Sequence, residues 1–106
     1  MTGLQSDQAL IVLNVPPSLE ESVIDWLLAR DDGMGFTSFP VFGHGASHSS
    51  LSAAEQVSGR ERRQQFQVQL DAAAVDHFLH DIQQSFGTAG MRFWVLPLMA
   101  TGHFTV

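Results

Sequence analysis

Two segments of this chain carry apolar residues side by side, "LIVLNV" inside Gln8–Val15 and "FWVLPL" inside Met91–Met99. Successive side chains of a strand point to opposite faces, so each run presents apolar groups to both sides of any sheet that contains it. Such a sheet needs cover on both faces. The rest of the chain decides how much of that cover it can supply itself.

Gln8–Val15 reads as a first strand, stopped by Pro16-Pro17, which cannot continue a ladder. Ser18-Leu-Glu-Glu21 then has the spacing of a capping box and opens a helix. Val23, Ile24, Trp26, Leu27 and Leu28 recur at helical intervals, and Gly33 supplies a left-handed exit. "GFTSFPVFG", Gly35–Gly43, has a proline in its middle, which confines it to a sheet edge if it is a strand. Arg63–Leu70 alternates Phe66, Val68 and Leu70 with Gln65, Gln67 and Gln69, the pattern of a strand with one dry face. Asp71 caps a second helix whose stripe is Val75, Phe78, Leu79, Ile82 and Phe86, with Gly87 as its exit. Met91–Met99 is the fourth strand, and a tail occupies 99–106.

This order predicts a single α+β domain over 1–106: a ferredoxin-like βαββαβ sandwich, with two helices on one face of a four-stranded antiparallel sheet. Two helices cover one face only. Neither the tail nor the 46–60 loop between the second and third strands is large enough to cover the other. The expectation is therefore a homo-oligomer whose copies cover the bare face.

The totals narrow the function. Apolar residues at 44% and charged residues at 15% describe an ordinary soluble domain. With a formal charge of −6 and no lysine, the chain lacks the basic face that nucleic acid needs. Cysteine is absent, which excludes disulfides, thiolate metal sites and cysteine nucleophiles. No secretory leader and no segment of membrane-spanning length is visible, so the expected location is the cytoplasm and no membrane insertion is expected. There is no nucleophile-elbow pattern and no carboxylate pair in a plainly apolar setting, so no catalysis is expected.

The element order, the inferred oligomer and the long segment "FGHGASHSSLSAAEQVSGRERRQQFQVQL" together resemble the PII signalling superfamily, a group of trimers that includes the CutA proteins. Within it the chain is most similar to an uncharacterised bacterial PII-like family whose members tend to be encoded beside heavy-metal efflux systems. The resemblance implies a trimeric regulatory or sensor protein linked to metal resistance or efflux, with a membrane transporter or efflux component as partner. It also implies an alternative, an adenine-nucleotide site at the subunit cleft. The matching stretches are Gly43-His44-Gly45 and Gly87-Thr88-Ala89-Gly90-Met91-Arg92. The second is shorter than the PII pattern and has no lysine, with Arg92 the only cation nearby.

Three groups of residues carry the candidate chemistry. His44 and His48, joined by His103 from the tail, offer imidazoles to Cu, Zn, Co or Ni, with Glu55 as a further donor. The competing reading is of loop histidines that hydrogen-bond backbone or water. For a nucleotide or other anion the candidates are Gly43, Gly45, Arg60, Arg62, Gly87, Thr88, Gly90 and Arg92. The arginines have a structural alternative too, because Arg60, Arg62 and Arg63 lie among Glu55 and Glu61 and can form ion pairs with them. Ser52-Ala-Ala-Glu55 has capping-box spacing, which predicts a short helix over Leu51–Val57. His77 and His80, beside Asp76 and Asp81, form a polar patch on the second helix and read mainly as a solvated face.

Overall fold

The computed structural model describes residues 6–30, 35–44, 60–87 and 90–105. The elements are β1 (Gln8–Val15), α1 (Glu20–Ala29), β2 (Phe36–His44), β3 (Arg60–Asp71), α2 (Val75–Phe86) and β4 (Arg92–Pro97), with a 3-10 turn before each helix. The four strands form one antiparallel sheet in the order β2-β3-β1-β4. This is the expected ferredoxin-like arrangement, with both helices on one face.

Register explains which residues face the helices. β1 pairs with β3 so that Leu13 lies opposite Phe66, Ile11 opposite Val68 and Ala9 opposite Leu70. Residues paired across a ladder share a face, and these six are all buried. With Val15, Val23, Leu27, Phe78 and Ile82 they build the core, and the helix residues Ile24, Trp26, Val75, Leu79 and Phe86 pack against it. Leu28 departs from the expected stripe: it is 68% exposed, because the core-facing arc of α1 passes through Val23 and Leu27 and leaves its neighbour outside.

The helix starts also differ from expectation. α1 follows a 3-10 turn over Pro17–Leu19, and its N-cap residue is Leu19, with no side-chain cap. The Ser18–Glu21 capping box is therefore not formed. Likewise Asp71 makes no cap hydrogen bond; its carboxylate accepts from Gln8 Nε2, and a 3-10 turn over Ala72–Ala74 leads into α2. In both cases the tighter turn redirects the chain before the helix begins. Gly87 ends α2 with φ 45°, as its exit role requires.

The helix layer is tied by Arg30 at the end of α1. Its guanidinium lies 4.8 Å from the Trp26 ring centroid and 5.0 Å from that of Phe78, and it pairs with Asp81 of α2 at 3.2 Å. His77 reaches the same Asp81 oxygen at 3.2 Å. Trp26 meets Phe78 and Phe86 edge-on and donates its indole N–H to Ser85 Oγ. Asp81 of this patch thus bridges the helices, while Asp76, His77 and His80 are exposed, as a solvated face requires.

On the opposite face β3 presents Gln65, Gln67 and Gln69. Gln65 donates to Asn14, Gln67 to Gln65 and Gln69 to Gln8, so the amides form a band along the sheet. Leu10, Val12, Trp94 and Leu96 lie beside that band in paired rows, Leu10 opposite Leu96 and Val12 opposite Trp94. Every residue of β4 is exposed. The bare face anticipated from the two apolar strands is present.

Candidate functional site

β3 is longer than its neighbour β1. Its pairing with β1 ends at Gln64, while its pairing with β2 continues through Arg63, Arg62, Glu61 and Arg60 to His44. The first four positions of β3, Arg60–Arg63, therefore form a two-stranded ribbon with Val41–His44 that projects past the sheet. It carries most of the charge cluster singled out in the sequence.

Alternation divides the ribbon into two sides. One side carries Phe42 and His44 from β2 with Arg60 and Arg62 from β3, and Arg60 places its guanidinium 4.6 Å from the Phe42 centroid. His44 is exposed at the tip, opposite Arg60. The other side carries Glu61 and Arg63, two apart on one strand, in an ion pair of 2.5 Å with side-chain exposures of 8% and 16%. Glu61 is the one buried charged residue among the described residues. Sequence reasoning placed it in the cluster without showing that it is buried; its only signal was its place between arginines.

Gly43 lies opposite Glu61. A Cβ built there would meet the Glu61 carbonyl oxygen at 3.8 Å, an ordinary contact, so local space does not demand glycine. Gly87 and Gly90 differ, since both have positive φ, 45° and 79°. Both lie between α2 and Arg92, the start of β4. Gly45, His48, Glu55, Thr88 and the expected Leu51–Val57 helix lie outside the described residues, as does Gly33.

The described candidate residues do not converge within one chain. The ribbon extends from β2 and β3, whereas Arg92 is on β4 at the opposite edge, three strand spacings or about 14 Å from β2. His103 is further removed. Its tail leaves β4 at Leu98, whose N–H donates to Gln8 O at the start of β1, while His44 lies beyond the other end of that strand. The twelve residues of β3 span roughly 36 Å between those ends. Among the described residues no three His, Cys, Asp or Glu side chains gather as a metal-holding group. Nor is any helix among them long and apolar enough to cross a membrane.

A family described as a protein of unknown function, DUF3240, matches residues 5–105. The chain belongs to the DUF3240 family. A crystal structure of a DUF3240 family protein from Shewanella baltica OS155 is similar in fold, with a TM-score of 0.77 at 18% identity over 95% of this chain and 100% of that one. No match to a curated protein was found. That likeness shows a shared fold.

Proposed function

We propose that this DUF3240 protein is a PII-like trimeric regulator without catalytic activity, whose ribbon and its connecting loop respond to a ligand where copies meet. The observation that supports this is the division of the candidate residues between opposite edges of the sheet. Subunits that cover one another's bare faces would bring the ribbon of one chain towards the Gly87–Arg92 stretch of the next. The ligand in this reading is a transition metal, Cu, Zn, Co or Ni, held by His44 and His48 with a donor such as His103 from a neighbouring copy. The partner is a membrane transporter or efflux component, and the setting is cytoplasmic metal resistance. Neither nucleic acid nor insertion into a membrane is part of it.

The alternative ligand is an adenine nucleotide, and the paired positive-φ glycines support it, because turns of that kind present backbone N–H groups to anions. Isothermal titration of tag-free protein with each of the four metals, in parallel with ATP, ADP and AMP, separates the two. Metal binding tighter than about millimolar, about −4 kcal/mol, supports the first reading. A melting temperature raised by nucleotide and indifferent to metal transfers the site to the second. A single-chain particle in light scattering at micromolar concentration would sink both.

A further inference from the structure

The C-terminal tail ends the chain with residues suited to a strand that has no partner in its own sheet. After Leu98, residues Met99–Thr105 are all exposed and make no hydrogen bond or ring contact among the described residues. Phe104 is exposed to 107% of its reference area and Met99 to 66%. Yet "MATGHFTV" contains Thr101, Phe104, Thr105 and Val106, all good strand formers, and no proline. It follows β4, an edge strand that is itself open on both sides.

β4 pairs with β1 alone, so its outer edge presents backbone N–H and C=O groups with no ladder partner. The other edge, β2, carries Pro40 at mid-strand, and the missing N–H interrupts any ladder added there. In β4 the proline is the last residue, Pro97. Of the two edges, β4 is therefore the one able to take a continuous added strand. Lengths agree as well: seven extended residues reach about 23 Å and the six residues of β4 occupy about 20 Å.

We infer that Met99–Thr105 is an exchanged arm that adds as a strand to the outer edge of β4 in a second copy of this chain. The amount of surface supports a second copy as the occupant. Phe93, Trp94, Val95 and Leu96 are 53%, 43%, 36% and 44% exposed. Together with Met99 and Phe104, at about 200 Å² for each fully exposed large side chain, they leave roughly 700 Å² of apolar surface in water. Phe93 and Val95 lie on the helix-side face, opposite Leu13 and Ile11, whereas Trp94 and Leu96 lie on the other face, so a strand added at the edge meets both pairs; a standard interface takes about 800 Å² from each partner. A partner's arm alone would supply both the hydrogen bonds of the edge and an aromatic side chain, the manner of strand addition.

The arm rests on the self-association proposed above, and the test keeps the two apart. The full chain, a chain ending at Leu98 and the Phe104→Glu variant are compared by sedimentation across a dilution series, with circular dichroism reporting the fold. Removing exposed residues leaves the fold intact in either variant. The inference expects the full chain to associate and each variant to dissociate with a constant raised by about 10–100-fold, the loss of one buried aromatic side chain. It also expects amide exchange in β4 to slow in the full-length assembly and to quicken on truncation. If the full chain associates and the truncated chain associates equally well with unchanged exchange in β4, the arm is overturned while the assembly stands. If the full chain is itself monomeric at tens of micromolar, both are overturned.

Discussion

The Glu61–Arg63 pair offers the sharpest test of how the ribbon is built. Both side chains are largely withdrawn from water, at 8% and 16% exposure, and their charged atoms lie 2.5 Å apart. A hydrogen bond to a charged group contributes about 1.5–3 kcal/mol. Breaking a buried pair by removing one partner costs about 3–5 kcal/mol, since the other charge stays behind uncompensated. Glu61 keeps other interactions, so the lower range applies. Arg63→Met and Glu61→Gln are each expected to lose about 2 kcal/mol, and the double variant distinctly less than their sum. The coupling in that cycle should be about 1–2 kcal/mol. For a domain of this length each kcal/mol corresponds to about 4–8 °C in melting temperature, so the single variants should melt about 10 °C early. The assay is urea unfolding followed by tryptophan emission at one fixed protein concentration, because association would otherwise shift the midpoint. A coupling below about 0.5 kcal/mol would refute the reasoning. Arg63 would then belong with Arg60 and Arg62 as a candidate for ligand, and no longer be the anchor that holds the ribbon.

Three further outcomes are expected. Phe66→Ala, at a fully buried position on a central strand, should cost about 3–5 kcal/mol in the same unfolding assay, whereas Leu28→Ala at 68% exposure should stay within about 0.5 kcal/mol. Gly87→Ala should lose about 1–2 kcal/mol through its φ of 45° alone, since the nearest atom to an added Cβ is Gln83 O at 3.8 Å; Gly87→Asn should lose less, and equal losses would mean that crowding is the cause. Arg30→Met keeps part of the packing over Trp26 and Phe78 but removes the charge from Asp81, so a loss of about 1–2 kcal/mol in thermal unfolding is expected, and no change would show the interhelix tie to be incidental.

Much of this architecture follows from local pattern. The alternation of Phe66, Val68 and Leu70 with glutamines, and the stripe Val75–Phe86, each specify an element and its buried side within a single segment, and the structure reproduces both. Pro40 confined its strand to an edge for a reason internal to proline, its missing N–H. Runs of consecutive apolar residues in the first and last strands implied a bare face before any sheet order was known. Local capping signals were less reliable: Ser18 and Asp71 have cap chemistry, but 3-10 turns that route the chain from sheet to helix displaced the helix starts from them.

What one segment could not reveal depends on register and on contacts distant in sequence. Eight β1–β3 pairs decide that β3 outruns β1, and only that mismatch turns Arg60–Arg63 into a projecting ribbon with distinct sides. The Glu61–Arg63 ion pair follows from the same strand, as alternation puts Glu61 beside Arg63 and away from Arg60 and Arg62. Arg30 and Asp81 stand 51 positions apart and meet only because two helices share a face of the sheet. The separation of His44 from His103, and of the ribbon from Arg92, is likewise a property of strand order. Spacing along a chain constrains which groups can be neighbours within an element, whereas neighbours between elements are chosen by the packing that buries the core.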